Sequence, residues 1–347
     1  MVPWLVAMEL ALYGPEGFYR SGAGPAAHFR TSVHASRQFA AALARLVIEV
    51  DELLGQPRSV DLVDIGAADG NLLASIMSEL PSDLQGRVNL VAVEIRDRPA
   101  GLSPRIDWRS ELPEQIVGVL LANEWLDNVP IAVVERTSLS LATVLVDLVS
   151  GDEQLGGPIS SEQTAWLDQW WSLSEARVGD RAEVGLTRDN AWRDAVARLR
   201  VGLAVTVDYS HDRNGRLAGH YASGTMAGFR AGRWVPPVPD GSCDITAHVA
   251  LDACAAAAAS LGIDETLMTT QRNALMSLGV SGRRPPLEWA TTHPVSYVSA
   301  LAAASEAGEL LHRSGLGRFG WLAQSRGMGL GPSLTTLTAR PDEAPAG

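Results

Sequence analysis

The run Asp61-Leu62-Val63-Asp64-Ile65-Gly66-Ala67-Ala68-Asp69-Gly70 constrains this 347-residue chain more than any other stretch. Val60 to Ile65 is short and rich in Val, Leu and Ile, and runs straight into a glycine turn, which predicts a buried strand. The glycines behind it predict a tight turn into a helix that begins near Leu72. A second buried strand is expected at Val88 to Val93, closed by Glu94. An acidic residue about two dozen positions beyond a glycine turn is where a nucleoside-bearing cofactor has its ribose hydroxyls held.

The turn also selects among cofactors. Ala68 stands between Gly66 and Gly70, so no G-x-G-x-x-G can be read. A pyrophosphate needs bare N–H groups with no anion beside them. Asp64 closes the strand and Asp69 sits inside the turn, and both repel phosphate. They suit a cationic, phosphate-free ligand such as S-adenosylmethionine. The expected cofactor-binding set is therefore Asp64, Gly66, Ala68, Gly70 and Glu94, with Asn123 bonding either the cofactor carboxylate or the substrate. The structural alternative is that Asp69 and Asn71 only cap the helix.

Elsewhere the chain alternates strand and helix signals. A helix is expected from Arg37 to Leu54, where Phe39, Leu43, Leu46, Val47 and Val50 recur at helical spacing. Further strands are expected near Ile106, at Val117 to Ala122, at Leu203 to Val207 and, as a last edge strand, at Phe319 to Ala323. Val133 to Val149 reads as a hairpin, and Thr164 to Glu175, with Trp166, Trp170 and Trp171, as a helix packed on it. Strands separated by helices of this length predict an α/β fold with a mostly parallel sheet covered on both faces. Ligands of such sheets lie outside the carboxyl ends of the strands, and those ends carry Asp64, Glu94, Asn123, Glu124 and Asp208. The Gly/Pro-rich stretch Gly215 to Gly241 is expected to be a loop closing as a lid. Met1 to Ser36 reads as a shaped segment without regular structure, and Thr246 as the opening of a helix that runs to Ser260.

Composition excludes several classes. With 46% hydrophobic and 20% charged residues the chain is globular, and its net charge of −12 argues against a nucleic-acid partner. Two cysteines and 7 histidines without ligand spacing predict no metal site and no disulfide framework. No run is long and apolar enough to span a membrane, and no signal peptide is read at the start, so a cytoplasmic protein is expected.

Several segments together resemble the MidA/NDUFAF7-type methyltransferases. They are Ala11 to Tyr19, His28 to Ser32, the Asp64 to Gly70 turn, Asn123-Glu124-Trp125-Leu126-Asp127-Asn128-Val129-Pro130, Asp208-Tyr209, Gly224-Thr225 and Gly241 to Val249. The resemblance implies a class I S-adenosylmethionine-dependent methyltransferase fold, Rossmann-like, with a seven-stranded sheet and an accessory lobe. It divides the chain into an N-terminal segment, 1–36, at the active-site mouth, a methyltransferase domain, 37–330, with insertions at about 131–188 and 212–262, and a tail, 331–347. The mitochondrial member is a protein arginine methyltransferase acting in assembly of respiratory complex I. A protein substrate, such as a respiratory-complex or other assembly client, is thereby implied, with a small molecule as the alternative acceptor. A third reading is a cofactor-binding assembly factor with little turnover. Neither monomer nor homodimer is favoured. Three positions depart from the family: Ala68 replaces a glycine, His28 an acidic residue, and Asn128 an alanine.

An arginine acceptor keeps its charge, with a side-chain pKa above about 12. Carboxylates hold such a guanidinium in a planar fork. Glu124, leaving a buried strand at the ligand edge, and Asp127, three residues on, are the candidate catalytic carboxylates. The structural alternative makes Asp127 an N-cap. His248 is the third candidate, expected to share one side of a helix start with Asp244, either contacting substrate or satisfied in the core. No G-x-S-x-G elbow follows a strand, which disfavours a serine hydrolase.

Overall fold

A computed structural model describes residues 1–20 and 37–338. His28 and the rest of 21–36 lie outside the described residues, as does the tail from 339. The chain divides into two compact units. One comprises Met1–Phe29, Glu124–Ala197 and Asp208–Leu261; the other comprises Arg30–Asn123, Arg198–Val207 and Gly262–Gly347.

The second unit contains the expected seven-stranded sheet. Its strands lie in the order Glu265–Thr270, Gly320–Arg326, Leu199–Asp208, Ile116–Asn123, Val60–Ile65, Val88–Val93 and Ile106–Arg109. The pairings from Leu199–Asp208 to Ile106–Arg109 are parallel, while Glu265–Thr270 and Gly320–Arg326 run antiparallel. Central strands are buried on both faces, which explains why they are rich in Val, Leu and Ile. Gly118 and Gly202 face each other across two of these strands, and a Cβ at Gly202 would collide with the Gly118 carbonyl oxygen. The helix Arg37–Leu53 buries Phe39, Leu43, Leu46, Val47 and Val50, the stripe its spacing predicts.

Sequence pattern puts Phe319 to Ala323 at the edge, but Gly320–Arg326 is interior. The edge is Glu265–Thr270, whose Glu265 and Met268 are exposed. Its sequence, ETLMTT, has only Leu267 buried, so it lacks the apolar run of the central strands.

The first unit is built on an antiparallel sheet in which Val2–Pro3, Leu141–Val146, Ala132–Arg136 and Arg181–Val184 are neighbours, and Glu153–Pro158 pairs with Leu141–Val146. Side chains alternate along Ala132–Arg136. Val133 packs in a core with Trp4, Met8, Leu12 and Ile245, whereas Ala132 and Val134 pack with Trp166, Trp171, Ala182 and Val184. The helix Ser161–Trp170 starts at a capping box in which Ser160 and Gln163 bond each other's backbone N–H.

Three local expectations are corrected in this unit. Trp4–Tyr13 is a helix, because Trp4, Ala7, Met8, Ala11 and Leu12 form one buried stripe at helical spacing. The stretch from Gly215 to Gly241 is structured. It holds the end of a helix, Arg213–Leu217, and the strands Ala227–Arg230 and Arg233–Val235. Asp244–Thr246 is the third strand of that small sheet, pairing with Ala227–Phe229, and the next helix starts only at Leu251. Asp244 and His248 therefore do not share a helix face. Burial of Cys243, Ile245 and Ala247 gives this segment the period of a strand, not of a helix.

Among the described residues, no helix is long and apolar enough to cross a membrane.

Candidate active-site residues

The glycine turn is built as its sequence requires. Gly66, Ala68 and Gly70 have φ of 70°, 53° and 76°, so the chain is left-handed at three positions and Ala68 holds that conformation with a side chain. Gly70 N–H bonds the Ala67 carbonyl at 2.7 Å, closing the turn, and the helix Asn71–Glu79 follows. A Cβ at Gly70 would press on Leu102 at 2.9 Å.

Glu94 is fastened to this turn. Its Oε2 accepts the Ala68 N–H at 2.9 Å, and its Oε1 accepts those of Ile95 at 2.8 Å and Arg96 at 3.2 Å. Asp64, almost fully buried at the strand end, is pushed up to about 8 by burial and then by the Glu94 charge. It is thus largely protonated at neutral pH, and a cationic ligand would draw the proton off. Asp69 does not cap the following helix, whose N-cap is Gly70. Its carboxylate nonetheless accepts the backbone N–H of the first helical residue, Asn71, at 3.4 Å and that residue's side-chain amide at 2.7 Å. Asn123 is the last residue of its strand. Left-handed backbone at the turn and the buried Asp64 fit a cofactor that approaches the main chain closely and carries positive charge.

Glu124, Asp127 and His248 all lie in the other unit. Glu124 has a φ of 50°, a conformation that costs a residue with a side chain on the order of 1–3 kcal/mol and recurs at functional sites. Asp127 lies inside the 3-10 turn Leu126–Asn128, whose N-cap is Trp125, so it is not a cap. It is 3% exposed, and burial pushes its carboxyl up to about 6 against the lowering influence of Arg188.

Three residues that sequence reasoning left outside the site set complete its surroundings. Asp208, 0% exposed, accepts the N–H of Leu126 at 2.9 Å and of Asp127 at 3.2 Å through Oδ2. Burial and the charge of Asp127 raise its carboxyl well above the usual range. Asp244 accepts from the Tyr19 hydroxyl at 3.0 Å and from the Asn128 amide at 2.9 Å, so Asn128 uses its extra amide to tie the turn to the Asp244–Thr246 strand. Arg188 is buried and donates to the carbonyls of Asp127, Val129, Ala247 and His248 at 2.6, 3.1, 2.9 and 2.8 Å. One guanidinium thus joins the Asp127 turn to the His248 segment. Asp208 was legible as a polar strand end; nothing around Arg188 in the sequence marks it.

His248 is held by its own main chain. Its N–H bonds Thr225 Oγ1 at 2.8 Å, and that hydroxyl donates to Glu183 Oε2 at 2.6 Å. Gly224, at φ 77°, lies against Glu183, where a Cβ would come within 3.0 Å of Oε1. This explains a Gly-Thr pair at 224–225. The His248 ring stacks on Tyr209, with centroids 6.0 Å apart and planes 16° from parallel.

Residues 42–268 match a family described as "Putative S-adenosyl-L-methionine-dependent methyltransferase". The chain belongs to this family. It is accordingly an S-adenosylmethionine-dependent methyltransferase with a class I fold. Its structure is similar to that of a COG1565 superfamily member from Burkholderia thailandensis bound to S-adenosyl-homocysteine, and described as a "likely methyl transferase". That similarity has a TM-score of 0.79 and 25% identity, over 94% of this chain and 88% of that one. A second COG1565 structure from Burkholderia thailandensis shares the fold, with a TM-score of 0.78 and 24% identity over 96% and 89% of the two chains. No curated protein matches the chain.

Proposed function

We propose that this methyltransferase acts on a guanidinium nitrogen of a protein arginine. One observation carries the reading: Glu124, Asp127, Asp208 and Asp244 form a carboxylate cluster whose charges act on one another and on Tyr209. The buried cation among them, Arg188, directs N–H groups to main-chain carbonyls. A site with this balance takes an acceptor that brings positive charge and several N–H donors.

Bound S-adenosylmethionine supplies an electrophilic methyl group on a sulfonium; Asp64, the Gly66–Gly70 turn, Glu94 and Asn123 are the residues we assign to hold it. Glu124 and Asp127 accept N–H bonds from the acceptor. His248 and Tyr209 offer flat faces for the guanidinium plane. A small cationic acceptor is the second reading, favoured by the near-complete burial of Asp127 and Asp208, which suits a slim ligand.

Incubation of the purified chain with methyl-labelled S-adenosylmethionine and cell lysate tests both. Label in protein that hydrolyses to methylarginine supports the first reading. Label confined to low-mass products replaces it with the second.

A further inference from the structure

Asp208 closes the strand Leu199–Asp208 with its side chain entirely buried. One oxygen, Oδ2, is committed to the main chain of the Leu126–Asn128 turn. The other, Oδ1, is buried and has no hydrogen-bond partner among the described residues, and the same holds for Oδ1 of Asp127. Leaving one buried acceptor unsatisfied costs about 1–3 kcal/mol. Two in neighbouring carboxylates of the same sign mark a place where donors are missing.

The charged and titratable groups facing the pair are Arg188, Glu124, Asp244, Tyr19, Tyr209 and Cys254. Only Arg188 is a cation. The carboxylates do not converge as metal ligands either: among the described residues, no group of three His, Cys, Asp or Glu side chains could hold a metal ion. Two unpartnered carboxylate oxygens match an organic cation that brings several N–H donors.

We propose that Asp208 is a third carboxylate of the acceptor clamp, gripping with Asp127 a guanidinium-type cation through their two unpartnered Oδ1 atoms. This rests on the cationic acceptor proposed above and adds a residue and a charge state to it. Burial raises both carboxyls, and the Asp127 charge pushes that of Asp208 further up, so the pair without a ligand favours keeping a proton. The entering cation favours both carboxylates ionised, so that proton is expelled to solvent on binding. The clamp thereby becomes fully anionic only when an acceptor is present, ready to accept the N–H proton that methylation of the nitrogen releases.

Calorimetric titration of the full-length protein with agmatine, in the presence of saturating S-adenosylhomocysteine, tests this. Runs near pH 7 in two buffers of different ionisation enthalpy count the protons. We expect release of about one proton per agmatine bound. Asp208→Asn keeps an oxygen for the two main-chain N–H groups. It should abolish the release and weaken binding by about tenfold to a hundredfold, as loss of a charge-assisted bond does. Buffer-independent heat in the unsubstituted protein, an unchanged proton count in the variant, or no agmatine binding at millimolar concentration overturns the clamp. If the variant does not fold, carboxyl carbon resonances of the unsubstituted protein decide instead: Asp208 should be protonated alone and ionised with agmatine. Proton release without methylarginine in the lysate experiment rejects the protein-arginine reading and leaves the clamp standing; methylarginine without proton release does the reverse.

Discussion

The guanidinium of Arg188 lies 2.6 Å from the main-chain carbonyl oxygen of Asp127, so the position of a candidate catalytic carboxylate is set through its backbone. Three more carbonyls, those of Val129, Ala247 and His248, share the same guanidinium. Arg188→Met removes every one of these bonds and leaves Asp127, Asp208 and Glu183 without their nearby cation. Denaturant titration should show a loss of about 3–5 kcal/mol. Arg188→Lys should be milder but still destabilised, since one ammonium cannot span four acceptors. A loss below about 1 kcal/mol in the methionine variant would show that the two segments hold their places unaided.

Buried acids make stability depend on pH in a set direction. Asp64 keeps its proton to about pH 8 in the folded chain and loses it near the ordinary value of 3.8 when unfolded. Across that window the folded state binds the extra proton, so stability falls as pH rises. Asp127 and Asp189, each pushed to about 6, add to the fall over its lower part. Scanning calorimetry from about pH 5 to 8 should record a declining Tm, and Asp64→Asn should flatten the decline. A Tm that climbs over this range would contradict the assignment.

Ala68 occupies left-handed backbone that favours glycine. Ala68→Gly relieves the side-chain penalty and gives back part of it in unfolded-chain entropy, for a net gain of about 0.5–1 kcal/mol. Donor affinity should hold or improve. Chemical denaturation and calorimetry with S-adenosylmethionine read the two quantities, and a destabilised glycine variant would mean that the alanine methyl packs usefully.

Glu124→Gln retains shape and removes charge beside Asp208 and Tyr209. Turnover should drop by about tenfold to a thousandfold while donor affinity stays near its starting value, the pattern of an interaction made with the acceptor. Loss of donor binding with an unchanged rate at saturating donor would assign Glu124 to the cofactor.

Much of this architecture is legible because it rests on short-range pattern. Val60–Ile65 and Val88–Val93 are aliphatic-rich runs, interrupted only by Asp61, Asp64 and Asn89, and the strands match them residue for residue. Glu94 and Glu124 are readable because each directly follows such a run. Sequence and structure part where local pattern and tertiary demand disagree. Asp244–Thr246 spans only three residues, and its pairing with Ala227–Phe229, not a longer local pattern, makes it a strand. Glu265–Thr270 has a single buried residue, Leu267, and exposes both Glu265 and Met268, so it gives no strand signal. Arg188 carries no sequence signal because its role depends on four carbonyls drawn from two distant segments.

The strand order bears on how the protein is made. Leu199–Asp208, in the middle of the sheet, has Ile116–Asn123 on one side and Gly320–Arg326 on the other. A nascent chain emerging from the ribosome therefore carries an open hydrophobic sheet edge until nearly its last strand has been synthesised. For that interval the edge is exposed to pairing with other chains. Truncation before Gly320 would make the exposure permanent, so shortened forms should accumulate as aggregates or be degraded, not persist as a smaller folded enzyme.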